Sequence, residues 1–168
     1  MKKSLYLEII VCLFCAGCLK SKMLNDYTKI DPVIIIPNAN WPSFNTPTVN
    51  WYNSTDASQE IKLYARISWE NTLDRDLQIT FIKDQPAIDA YNIQNGSNYI
   101  MLPDAGYTIA SMQLNISAGT REAFIPIVIN PSAVSVADNY MLAFTISDAS
   151  GQIIAKNYKT KLLPIAIQ

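Results

Sequence analysis

The side chains that carry most enzymatic chemistry are scarce in this sequence, and their positions are informative. There is no histidine. That removes the usual general base, the usual partner of a Ser or Cys nucleophile and the commonest zinc ligand. Carboxylate chemistry remains open. Beyond residue 18 the glutamates are Glu60, Glu70 and Glu122, with scattered aspartates. A glycosidase needs two carboxylic groups at a defined separation, and no spacing here pairs them. Asp74 and Asp76 flank Arg75 and could join a calcium site. No glycine-containing loop or further acid completes it, so a solvated turn is the better reading. Asp84 and Asp104 read as a helix cap and a turn residue. The expectation is a chain that is not an enzyme, with no catalytic residues, no metal and no cofactor.

Aromatic residues offer a different chemistry. Trp41, Trp51 and Tyr52 lie in a stretch rich in Pro, Asn, Ser and Thr. Aromatic faces can stack on the C–H faces of sugar rings, and the nearby Asn40, Asn45, Asn50 and Asn53 can bond hydroxyls. These three are the candidate ligand-binding residues. The competing reading, anchoring of a loop against the domain, is the favoured one, because partly buried Trp is common. Tyr91 and Asn92 read as structural, the ring packing a helix on a sheet and the amide pairing with backbone. Trp69 falls on the inward face of its segment.

The cysteines Cys12, Cys15 and Cys18 all lie within the first 18 residues. The rest of the chain therefore has no disulfide and no thiolate site. Lys2 and Lys3 form a basic start, Leu5 to Ala16 is mostly apolar, and small residues precede Cys18. This is the layout of a secretory signal peptide, too short for a confident spanning helix. The run Cys15-Ala16-Gly17-Cys18 resembles a bacterial lipobox, in which the cysteine thiol receives a diacylglycerol and becomes the first mature residue. Cys15 stands where Leu is usual, and Glu8 interrupts the apolar run. The division expected is a signal peptide over 1–17, a lipid-anchored tether over 18–32 and a single domain over 33–168. Acyl chains contribute about 0.8 kcal/mol per buried CH₂. A flexible tether of that length would hold the domain roughly 20 Å from the lipid. The localisation expected is the cell envelope, anchored to the outer membrane, on its periplasmic or its surface face.

The domain must be built by elements the pattern can specify. Of the 168 residues, 49% are hydrophobic and 16% charged, and the net charge is −1. That is enough apolar material for a core, and no basic stripe invites nucleic acid. Period-2 alternation marks strands. Ile61, Leu63, Ala65, Ile67 and Trp69 form one inward set; Leu77, Ile79 and Phe81 a second; Met112, Leu114, Ile116 and Ala118 a third; Tyr140, Leu142, Phe144 and Ile146 a fourth. Met141, Ala143 and Thr145 would then meet water. Val33 to Ile36, Thr48 to Tyr52 and Ile153 to Tyr158 are further strand candidates. Phe124 to Ile129 is apolar on both faces, and Pro126, which lacks an amide donor, argues for an edge or a bulge. One helix is expected near Asp84 to Asn95, capped by Asp84, with Pro86 in its first turn and Gly96 at its end. Ile88 and Tyr91 would share its buried side, with Ala87 and Ala90 close by. A short turn should follow Pro131. The sum is an all-β fold, two packed antiparallel sheets with one short inserted helix.

Three pieces also resemble a domain family of unknown function, DUF1735, common in Bacteroidetes lipoproteins. They are IDAYNIQNGSNYIMLP at 88–103, YTIASMQLNISAGT at 107–120 and PIVINPSAVSVADNYMLAFTISDASG at 126–151. The resemblance covers 61–150 well and implies an immunoglobulin-like β-sandwich. Relatives often precede a lectin-like, discoidin-like or glycosidase module, and enzymatic activity belongs to that module, which is not expected in this chain. Two functions compete. The first is a non-catalytic binding or scaffold module of the cell envelope, linked to glycan capture. The second is a structural or adhesive subunit that binds another envelope protein by strand addition, with Phe124 to Ile129 as the candidate edge.

Overall fold

The computed structural model describes residues 31–42, 46–136 and 139–168. The expected signal peptide, Cys18 and nearly all of the tether lie outside the described residues. Among the described residues, eleven strands and one α-helix follow in chain order: β1 Val33–Ile35, β2 Asn50–Tyr52, β3 Gln59–Ser68, β4 Leu77–Lys83, helix α1 Gln85–Asn95, β5 Ile100–Met101, β6 Tyr107–Ile109, β7 Gln113–Ile116, β8 Glu122–Ile129, β9 Asn139–Asp148, β10 Ile153–Ile154 and β11 Thr160–Ile167. One sheet has the order β10-β1-β3-β8-β6. The other runs β2-β11-β9-β4-β7, with β5 also beside β9. This is an all-β sandwich with one helix, as the alternation predicts. The long ladders are antiparallel, but β1–β10, β2–β11 and β5–β9 are parallel. Those parallel pairs are short and each joins strands far apart in sequence, so no local pattern foretells them.

The core lies between the sheets. Leu63, Ala65 and Ile67 of β3, Leu77, Ile79 and Phe81 of β4, Leu114 and Ile116 of β7, and Tyr140, Leu142, Phe144 and Ile146 of β9 are all buried there. Each set has the parity the sequence assigns it. The third set stops short, because Ala118 is exposed. The outward set of β9 departs from expectation. Met141, Ala143 and Thr145 are buried as well, because α1 lies on that face. Ala87, Ile88 and Tyr91 of the helix pack with Met141, Ala143 and Leu162, while Trp41, Tyr99 and Met101 close the sides. Ala90, expected close to that buried side, is exposed.

Asp84 fixes the start of α1. Its carboxylate accepts the Ala87 amide at 3.0 Å and the Thr145 hydroxyl at 2.5 Å, and Thr145 in turn pairs with the Thr160 hydroxyl at 2.7 Å. The cap therefore ties the helix to β9 and β11. At the other end Gly96 adopts a left-handed conformation and returns its N–H to the Asn92 carbonyl. Asn92 also receives Tyr99 N–H at 2.9 Å and donates to the Tyr99 carbonyl at 2.7 Å. Tyr91 and Asn92 thus take the packing and backbone-pairing roles expected of them.

Pro126 yields a correction. The strand β8 is not at the sheet's edge: it pairs with β3 along its whole length and with β6 over Ile127–Ile129. Asn130 N–H donates to the Gly106 carbonyl, so by parity the next hydrogen-bonded step along β6 after Thr108–Val128 would fall at residue 126. Proline has no amide proton to give there, and the β6 ladder stops at Ile109–Ile127. Edge character is confined to Glu122–Pro126. A further strand, β11, escapes the alternation rule. Leu162 lies in the helix-side cluster, Ile165 and Ile167 in the main core with Leu163 packed against it. A strand buried on both faces reads as a continuous apolar run. Pro164 sits just before the pairing with β2 begins at Ile165. The expected strand over Ile153 to Tyr158 shrinks to the two residues of β10.

Candidate functional site

The candidate aromatics do not share one surface. Trp51 and Tyr52 are neighbours on β2, so their side chains point to opposite faces. Tyr52 is 5% exposed and joins the core, where burial pushes its hydroxyl pKa up. Trp51 faces out and is 64% exposed. Trp41 is half-buried; its ring meets Tyr91 edge-on, with centroids 5.7 Å apart at 66°, and it packs against the cluster beneath α1. The anchoring role thus falls to Trp41 and Tyr52, and Trp51 alone presents an open indole face.

The pairing register supplies neighbours for Trp51. On β11 it lies opposite Ala166, and on β9 Ala166 lies opposite Asn139. Directly paired residues share a face, and strands are about 4.8 Å apart, so Trp51 and Asn139 stand roughly 10 Å apart across a methyl floor. The Asn139 amide donates to the Asn98 side-chain carbonyl at 3.4 Å. The row is an aromatic wall, a small floor and an amide wall.

The asparagines nearest in sequence are mostly committed elsewhere. Asn40 is buried; its amide donates to the Leu162 carbonyl at 2.9 Å and accepts the Leu162 N–H at 2.7 Å. Asn50 donates to the Pro164 carbonyl at 3.0 Å. Asn53 is held by Asp56, whose carboxylate accepts its backbone N–H at 2.7 Å. Asn45 lies outside the described residues. Asn98 and Asn139 were missed because they come from distant segments, Asn139 through strand register and Asn98 through its side-chain hydrogen bond to Asn139.

The remaining polar candidates brace turns. Asp76 accepts the Ala118 amide at 2.9 Å and the Asn115 side-chain amide at 3.2 Å. Those hydrogen bonds, the backbone one first, hold its carboxyl below the usual range. Asp104 pairs with Lys83 at 2.6 Å and accepts from the Tyr107 hydroxyl at 3.2 Å; the lysine contact is the larger cause of its lowered pKa. On the outer face of the other sheet, Glu122 is paired with Arg66 at 2.5 Å. Trp69 packs against the core, and its indole N–H has no partner.

Comparison with known proteins places this fold. A family profile described as an N-terminal domain matches residues 27–153. No curated protein matches the sequence. Among solved structures, a multidomain protein including DUF1735 from Bacteroides ovatus superposes with a TM-score of 0.62 at 17% identity, over 82% of this chain and 45% of that one. A second protein of that organism, whose description proposes carbohydrate binding, gives 0.61 at 16%, over 80% and 37%. EndoBT-3987 of Bacteroides thetaiotamicron, solved with a Man5GlcNAc product, gives 0.55 at 16%, over 71% and 28%. The chain spans less than half the length of each of these three, and at such identities the likeness speaks for the fold. With three quarters of its length inside the family profile and this sandwich in common, the chain belongs to the DUF1735-like family of N-terminal domains found in Bacteroides proteins.

Proposed function

We propose that this chain is a non-catalytic module of the cell envelope, lipid-anchored at Cys18 to the outer membrane, that captures glycan. The observation that carries the reading is the Trp51–Ala166–Asn139 row. Trp51 is 64% exposed on a short strand, so its indole face is open to a ligand. A pyranose ring is flat, apolar on its C–H faces and ringed with hydroxyls. It can stack on the indole while the amides of Asn139 and Asn98 bond its hydroxyls. The description of the Bacteroides ovatus neighbour and the Man5GlcNAc-bound neighbour support the ligand class.

The test is a titration of the domain against host, plant and microbial glycans. Replacing Trp51 by Ala should weaken binding at least about tenfold, equivalent to roughly 1.4 kcal/mol, and leave the melting temperature unchanged. Trp41→Ala should do the reverse, lowering the melting temperature through lost packing against Tyr91. A parent protein that binds no glycan in any of these sets removes the proposal.

A further inference from the structure

The inward face of β11 contains an exception. Leu163, Ile165 and Ile167 point into or against the core, and alternation puts Lys161 on that same side. A lysine there is desolvated by the sandwich around it, which holds its ammonium pKa below the usual value. Its Nζ donates to the Asn38 carbonyl at 2.7 Å. Among the described residues no carboxylate forms an ion pair with it. An ammonium has three donors, and one carbonyl uses one.

Lys161 opens onto a cavity of about 600 Å³ at the end of the sandwich, between the segment leaving β1 and the start of β11. That volume is in the range of pockets for small ligands. Pro37 and Pro47 give it apolar sides. Asn38, Thr46 and Thr48 add amide and hydroxyl groups, and Tyr158, 47% exposed, brings an aromatic ring. The composition is that of a sugar subsite with one fixed cation added.

We propose that this cavity binds a carboxylate-bearing sugar ring, with Lys161 pairing the ligand's carboxylate. The proposal rests on the glycan-capturing reading above and adds a site to it on the opposite side of β11 from Trp51. A single monovalent ammonium matches a single carboxylate, whereas phosphate is better met by several donors or an arginine fork. The ring would lie against Tyr158 and the prolines, with its hydroxyls toward Asn38, Thr46 and Thr48. Binding a carboxylate would supply the counter-charge that the folded protein withholds from this lysine.

The experiment titrates the domain with short oligomers of galacturonate and glucuronate and with sialic acid, alongside the neutral galactose and glucose oligomers. The parent should bind one of the acidic ligands at least tenfold more tightly than its neutral counterpart, with affinity falling as salt rises. Lys161→Met should lose at least tenfold of that affinity, and Lys161→Arg should retain most of it. A thermal melt run in parallel confirms that each variant is folded. Equal binding of acidic and neutral ligands, or an unchanged Lys161→Met variant, overturns the proposal. If neutral glycans bind through Trp51 and no acidic sugar binds, the pocket assignment falls while the capture role stands. If no sugar of either kind binds, both fall.

Discussion

A single side chain is legible in sequence when its environment follows from strand parity. Phe144 is an example: it sits between Leu142 and Ile146 in an alternating run and is 0% exposed. Replacing it by Ala should cost about 3–5 kcal/mol of unfolding free energy. Urea denaturation checks this, and a midpoint equal to the parent's would mean that the site can collapse around the change. Parity likewise separates Trp51 from Tyr52. It does not reveal Asn98 and Asn139, because their place beside Trp51 depends on which strands pair. Lys161 could have been noticed only after β11 itself was recognised, for a lysine is unusual solely by contrast with the apolar register around it.

At the scale of elements, the helix was the most legible unit and its consequence the least. Asp84, Pro86 and Gly96 mark its ends by well-understood capping chemistry. The alternation in β9 nevertheless assigns Met141, Ala143 and Thr145 to water, since a period-2 pattern says nothing of a helix lying across the outer face. The small residue Ala143 and the adaptable Met141 suit a helix packed at close range. The link between the two layers is Asp84. Asp84→Ala should lose the cap, about 1–2 kcal/mol, and leave the Thr145–Thr160 hydroxyl pair without its acceptor. Asp84→Asn should lose less, since its amide oxygen can still accept the Ala87 N–H. Denaturant midpoints of the two variants test the order; equal losses would deny the cap its role. The strand β11 was hidden for a related reason. Burial on both faces and Pro164 erase the alternation that betrays β3 or β7.

For the molecule as a whole, the two-sheet architecture and its core were accessible from pattern alone, and the family resemblance fell on the right segments. Anchoring belongs to this scale too. If Cys18 carries the lipid, Cys18→Ser should move the protein to the soluble fraction or leave an uncleaved precursor, as fractionation and the mass of the mature N-terminus would show. A mature, membrane-bound Cys18→Ser protein would refute the anchor. A last consequence comes from the pairing of β2, an edge strand whose ladder partner is β11. Asn50–Tyr52 must wait for Ile165–Ile167, more than a hundred residues later. A chain made from its N-terminus therefore cannot close its second sheet until Ile167 has emerged. Such long-range closure is slow. If the proposed export holds, that delay is useful: the topology acts as a timer that keeps the second sheet open until β11 has crossed the membrane.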